Sequence, residues 1–82
     1  MTGKEEKVMN WLGKYLPAKG FDYVGRIEPE IEIEDLDMDP SDEDDLREAA
    51  DEEFNIELPK TLFAGVDTLG ELAKVISDEI PA

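Results

Sequence analysis

The sequence predicts an all-α fold, a bundle of three principal helices and one short helix with a long first loop. Three stretches carry apolar residues at the 3.6-residue spacing of amphipathic helices. Residues that start or stop helices bound each stretch. The chain has 82 residues, the size of one small domain. We therefore treat 1–82 as a single helical domain.

The first predicted helix covers residues 4–16, and we expect Pro17 and Gly20 to end it. We expect Trp11 and Tyr15 to lie in the core or at its rim rather than to stack on a ligand. The apolar residues at helical spacing are Val8, Trp11, Leu12, Tyr15 and Leu16.

A long connection follows, from about 17 to 38, in which we expect Asp22 and Tyr23 to pack within the loop. Its apolar residues alternate with acids, as they do in a strand. A strand over 31–36 would have no second run to pair with, so we interpret this part as an extended loop that holds isoleucines against the helices. The alternating residues are Ile27, Ile31, Ile33 and Leu36.

The second helix is predicted over 40–54. Asp39 is a good N-cap, Pro40 suits the first helical position, and Asp42 belongs to an acidic first turn that complements the helix dipole. Its apolar stripe is thin, and consists of Leu46, Ala49, Ala50 and Phe54.

The short helix is predicted over 60–65, closed by Gly65, and the last helix over 69–79. Thr68 and Glu71 form a capping box before the last helix. Pro81 follows this helix and stops it. The residues expected to face the core from these two elements are Leu62, Phe63, Leu69, Leu72, Ala73, Val75, Ile76 and Ile80.

The net charge of −15 lies in one segment, residues 28–57, which holds sixteen acidic residues and a single basic one, Arg47. The rest of the chain is balanced. Such a surface repels nucleic acid and anionic membranes and attracts basic patches on other proteins, or divalent cations. We expect a monomer that binds neither nucleic acid nor membrane.

The chain contains no cysteine and no histidine. This composition excludes disulfides, zinc-thiolate sites and Ser-His catalytic arrangements. We therefore expect a protein that is not an enzyme. No run of 18 apolar residues and no signal peptide are visible, so we expect a cytoplasmic protein.

Three motifs in register resemble those of the acyl carrier protein family. Glu34-Asp35-Leu36 resembles the E-D-L that precedes the family's attachment site, and 51–59 resembles the E-E-E-F-D-I-E-I-P that ends its second helix. The stretch 66–72 resembles the family's entry to its last helix. The likeness runs without a gap from 34 to 76 and also covers 5–16. It implies an acyl-carrier-like bundle.

The likeness fails at the functional position. The family has Asp-Ser-Leu, whose serine carries 4′-phosphopantetheine, whereas this chain has Asp39-Pro40-Ser41. We expect no prosthetic group; the alternative is 4′-phosphopantetheine on Ser41, one residue beyond the usual place. Asp44 and Arg47 also stand where the family commonly has valines, which predicts a poor acyl pocket.

This chain retains the acidic second helix of the family. The resemblance therefore implies that the helix docks on basic patches of regulatory proteins or of acyl-processing proteins of fatty acid or polyketide metabolism. Electrostatic steering makes such docking sensitive to salt. The residues predicted to bind a partner are Asp39, Asp42, Glu43, Asp45, Glu48, Asp51 and Glu52.

The same acids suggest a third class, a divalent-cation-binding domain. Counted from Asp37, oxygen-bearing side chains fall at every ligand position of an EF-hand loop, including Glu48 at the twelfth. The glycine required at the sixth position is replaced by Asp42. We expect weak, unspecific divalent binding, with candidate ligands Asp37, Asp39, Asp45 and Glu48.

Overall fold

The computed structural model describes residues 3–21 and 27–81. Helix α1 covers Gly3–Ala18, a 3-10 helix covers Ile33–Leu36, α2 covers Pro40–Phe54 and α3 covers Leu69–Glu79. In these two ranges there is no strand, only one isolated antiparallel bridge between Glu32 and Thr68. The all-helical prediction is confirmed at this level.

The core draws residues from every helix and from the connections. Helices α1 and α3 pack against each other. Over the described ranges, no helix combines the length and apolarity needed to cross a membrane. The apolar residues buried most completely are Val8, Leu12, Leu16, Leu46, Ala50, Leu69, Leu72, Ala73 and Ile76.

Helix α1 continues two residues beyond its predicted end, so Pro17 does not stop it. The helix ends at Ala18, and Gly20, two residues further on, has the left-handed φ of 89° that closes it. The amide of Gly20 bonds to the Pro17 carbonyl oxygen at 3.0 Å, and the amide of Phe21 to the Leu16 carbonyl oxygen at 2.9 Å. This pair of bonds is a Schellman motif, which satisfies the last carbonyl groups of the helix.

The extended loop predicted over 31–36 is wrong for its last four residues, Ile33–Leu36, which form the 3-10 helix. The two residues before this helix lie beside the start of α3, where the Leu69 amide bonds to the Ile31 carbonyl oxygen at 2.9 Å. On the far side of the bridge, the Ile33 amide bonds to the Asp67 carbonyl oxygen at 2.8 Å. The predicted role of the apolar residues is confirmed, because Ile31, Ile33 and Leu36 are buried.

Helices α2 and α3 have the bounds that the sequence predicts, because both begin with a capping box. Asp39 accepts the Asp42 amide at 2.9 Å and donates its own amide to Asp42 Oδ2 at 3.2 Å. Thr68 and Glu71 exchange the equivalent bonds at 3.2 and 3.1 Å. Each box satisfies two amides that a helix N-terminus leaves without partners.

The short helix predicted over 60–65 is not formed. These residues make successive turns, with the Leu62 amide bonded to the Pro59 carbonyl oxygen and the Ala64 amide to that of Thr61. Leu62 is buried as predicted, whereas Phe63 is half-buried. The single short helix in the described residues is therefore the 3-10 helix, which lies between α1 and α2. Asp22 and Tyr23 lie outside the described residues.

Candidate functional site

The outward face of α2 presents a line of polar residues. Ser41, Asp45, Glu48 and Glu52 follow one another at intervals of four, three and four residues, and all four are exposed. Side chains at these intervals lie above one another on one side of a helix. We call Asp45, Glu48 and Glu52 the acidic stripe. Ser41 lies at its N-terminal end.

The acidic stripe has no internal counterions. None of its three carboxylates forms an ion pair with a residue in the described ranges. The basic residue nearest in sequence, Arg47, pairs instead with Asp44 at 3.9 Å and Asp51 at 3.8 Å. The stripe is therefore a solvated anionic surface whose charge is available to a partner.

Ser41, the attachment residue of the alternative reading, is the second residue of α2 and is exposed. Pro40 precedes it and lies about 100° away around the helix axis. Because Ser41 is in line with the acidic stripe, its hydroxyl lies on the outward face of α2. The chain's other serine, Ser77, is 4% exposed and donates its hydroxyl to the Lys74 carbonyl oxygen at 2.8 Å.

Three of the acids predicted to bind a partner serve the fold itself. Asp39 and Asp42 cap α2 through their mutual hydrogen bonds. Asp51 is half-buried and accepts the Leu58 amide at 2.8 Å, which secures the exit from α2. These carboxylates are less free to meet a partner than the stripe is.

Glu43, also predicted to bind a partner, is half-buried on the inner side of α2. Burial raises the pKa of its carboxyl group above the usual range, and the charges of Asp44 and Asp39 raise it further. The local environment therefore opposes ionisation of Glu43. This residue belongs to the inner side of the acidic helix rather than to its outward face.

The charge of α2 also reaches α1. Burial raises the pKa of the Tyr15 phenol, and Asp45 and Asp42 add to the shift. The Tyr15 ring stacks on Trp11 with centroids 5.0 Å apart, and Trp11 meets the edge of Phe54 at 5.6 Å. The two aromatic residues of α1 are both half-buried, which agrees with the predicted packing role.

A cleft of about 390 Å³ separates the first turns of α2 from the 60–64 segment. Its polar residues are Glu43, Asp44, Arg47, Lys60 and Thr61. The sequence did not reveal this cleft, because residues 60–65 were predicted to form a short helix. The signal that could have drawn attention to it is Arg47, the single basic residue of the acidic segment.

Arg47 is held in this cleft with incomplete hydrogen bonding. Its side chain is 14% exposed, and both of its ion-pair distances exceed hydrogen-bond length. Its Nε atom is buried and has no hydrogen-bond partner among the described residues. A buried donor without an acceptor costs about 1–3 kcal/mol.

The predicted cation ligands are not brought together as a loop. From Pro40 onward the EF-hand spacing is wound into α2, so side chains two residues apart leave the helix about 200° apart. Over 3–21 and 27–81, no group of three or more acidic side chains is arranged to hold a metal ion. Weak divalent binding to the surface stays a prediction.

Comparison with known proteins found no matching family model, no matching curated protein and no matching solved structure. The function is therefore argued from the residues of this chain.

Proposed function

We propose that this chain is an acyl-carrier-like docking domain, which binds basic patches on acyl-processing or regulatory proteins through the acidic stripe. The observation that carries the proposal is that Asp45, Glu48 and Glu52 share one exposed face without internal counterions. Exposed carboxylates without internal partners leave their charge available to Lys or Arg, and they steer a basic partner during its approach.

The resemblance to acyl carrier proteins supplies the partner class, and the fold is compatible with it. Three helices with a long first connection place the acidic helix at the surface. Helix α2 contributes only Leu46 and Ala50 to the buried core, and most of its acids lie on its exposed side. The outer surface of α2 is therefore free to serve recognition.

The test is a charge reversal on the stripe. The variant E48K/E52K is compared with E6K/E79K, which makes the same change in net charge at exposed positions of α1 and α3. Affinity for a purified fatty-acid-type ketosynthase is measured at low and at physiological salt. We expect the stripe variant to bind at least about tenfold more weakly than the control, and the wild-type affinity to fall as salt rises. Equal affinities of the two variants would contradict the proposal.

A second candidate is a working carrier with 4′-phosphopantetheine on Ser41. The exposure of Ser41 in the first turn of α2, at the head of the acidic stripe, favours it. A helix N-terminus suits a phosphodiester, because its dipole and free amides favour negative charge. Pro40, which has no hydroxyl, cannot serve this purpose.

Intact mass distinguishes the two candidates. The folded chain and its S41A variant are incubated with coenzyme A and a broad-specificity phosphopantetheinyl transferase. A gain of one arm in the wild type alone establishes a carrier with a displaced serine. No gain in either protein supports the docking domain without an arm.

A further inference from the structure

We propose that the docking partner presents a basic amphipathic helix, and that the aromatic cluster of Trp11, Tyr15 and Phe54 receives an apolar side chain of that helix. This inference rests on the docking function proposed above and adds a second contact to it. The ring centroids are 5.0 Å apart for Trp11 and Tyr15 and 5.6 Å apart for Trp11 and Phe54. All three side chains are half-buried, so part of the cluster is open to solvent.

The aromatic cluster adjoins the acidic stripe. Burial raises the pKa of the Tyr15 phenol, and the charges of Asp45 and Asp42 raise it further, which places these carboxylates near the ring. Along α2, the half-buried Ala49 comes four residues after Asp45 and three before Glu52. Residues at these intervals are neighbours on a helix surface, so this small side chain lies between the stripe and the buried side of α2.

The charge and the rings together select the class of partner. Trp and Tyr are enriched among the residues that contribute most to binding at protein interfaces. A helix laid along α2 presents Lys or Arg at three- and four-residue intervals, which match the spacing of the stripe. The same helix carries apolar side chains on an adjoining flank if it is amphipathic. One helix therefore neutralises the carboxylates and covers the rings.

The lysines of α1 restrict how the partner helix is charged. Lys7 and Lys14 are exposed, and at four residues before and three residues after Trp11 they are its neighbours on α1. The Lys19 ammonium lies 5.8 Å from the centre of the Tyr15 ring. Basic residues of the partner are therefore favoured on the flank toward α2 and opposed on the flank toward α1. A second copy of this chain is opposed as the occupant, because each copy carries a net charge of −15.

Trp11 is the single tryptophan of the chain, so its fluorescence reports on the aromatic cluster directly. The probe is a helical peptide of about 18 residues without tryptophan, with lysines at the spacing of the stripe and leucines along one adjoining flank. The control peptide has glutamine in place of each leucine, which keeps the charge and nearly the same helix propensity. We expect the leucine peptide to shift the Trp11 emission saturably and to bind at least about tenfold more tightly than the control.

Two results would overturn the inference. The first is equal affinity of the leucine and glutamine peptides. The second is an emission shift that depends on the concentration of the protein alone, which would assign the aromatic cluster to a second copy of the chain.

Two matched variants locate the apolar contact. F54A removes one ring of the aromatic cluster, and F63A makes the same change at a half-buried phenylalanine in the 60–64 turns. Urea denaturation first establishes that both variants are folded. We expect F54A to weaken binding of the leucine peptide about tenfold and to leave the glutamine peptide unchanged, whereas F63A changes neither. Equal effects of the two variants on the leucine peptide would refute the contact, and the comparison of peptides on the wild type decides the matter if F54A does not fold.

The stripe variant E48K/E52K separates this inference from the docking function. It should weaken both peptides at least about tenfold, because both carry the same lysines. If both are weakened but bind the wild type equally, the docking function is supported and the aromatic contact is refuted. If E48K/E52K leaves the affinity of the leucine peptide unchanged, the docking function itself fails.

Discussion

The amide of Gly70 donates a hydrogen bond to the carbonyl oxygen of Pro29 at 2.9 Å, and the two residues are in close contact. A Cβ atom at position 70 would lie 3.0 Å from the Cβ of Pro29 and 3.2 Å from its carbonyl oxygen. The contact fixes the first connection against the entry to α3. Pro29 therefore holds the extended residues next to the start of that helix.

We predict that Gly70→Ala destabilises the fold by about 1 kcal/mol. The added methyl overpacks a rigid proline, at a cost of about 1–3 kcal/mol, and the higher helix propensity of alanine returns up to about 1 kcal/mol. Gly13→Ala is the matched control, because a Cβ there meets nothing within 4 Å. It should stabilise the protein by about 0.5–1 kcal/mol. Urea denaturation measures both, and equal effects would contradict the contact.

A second prediction concerns the N-cap of α2. Asp39→Ala removes the acceptor of the Asp42 amide and should cost about 1 kcal/mol. Asp39→Asn removes the same charge and keeps an acceptor, because asparagine caps helices about as well as aspartate. The asparagine variant should therefore stay within about 0.5 kcal/mol of the wild type. If both variants lose the same stability in urea, charge rather than capping is the cause.

The elements that sequence reasoning predicted well are those whose ends are set by local contacts. Asp39 and Thr68 cap their helices through residues three positions on, so the starts of α2 and α3 are visible in the sequence. The 3-10 helix at Ile33–Leu36 depends on hydrogen bonds to the entry of α3, which no local pattern reveals. Pro17 was wrongly predicted to stop α1. A proline this close to the end of a helix removes few of its backbone hydrogen bonds, so the helix continues through it to Ala18.

The same distinction applies to the candidate site. The acidic stripe could be predicted as part of α2, because exposure follows from helical periodicity. The internal roles of Asp51 and Arg47 could not, since Asp51 is engaged by the distant Leu58 amide and Arg47 faces the 60–64 turns. A list of acids drawn from charge alone therefore mixes structural carboxylates with free ones.

A third prediction uses two glutamates whose pKa values shift in opposite directions. Hydrogen bonds from the Asp67 and Thr68 amides hold the pKa of Glu71 below its usual range. Its contribution to stability is therefore present at neutral pH and lost as pH falls through the folded pKa. The raised pKa of Glu43 has the reverse effect, because protonation favours the folded state and the contribution is lost as pH rises.

Glutamine variants test these signs. At neutral pH, Glu71→Gln should lower the free energy of unfolding, whereas Glu43→Gln should raise it. Both differences from the wild type should shrink as the solution is acidified and the glutamates become protonated. Urea denaturation at several pH values measures this. Changes of the same sign would show that removal of charge alone, rather than the local environment, governs stability.

The final prediction concerns the charge along α2. Glu48 and Glu52 are four residues apart, and a like-charged pair at this spacing destabilises a helix by about 0.2–0.5 kcal/mol. Salt screens such exposed repulsion, so the melting temperature should rise between low salt and about 0.15 M. The variant E48Q/E52Q should melt higher at low salt and depend less on salt. The control E6Q/E79Q removes two charges outside the acidic segment and should change both quantities less. A wild-type melting temperature independent of salt would mean that repulsion along the stripe does not limit stability.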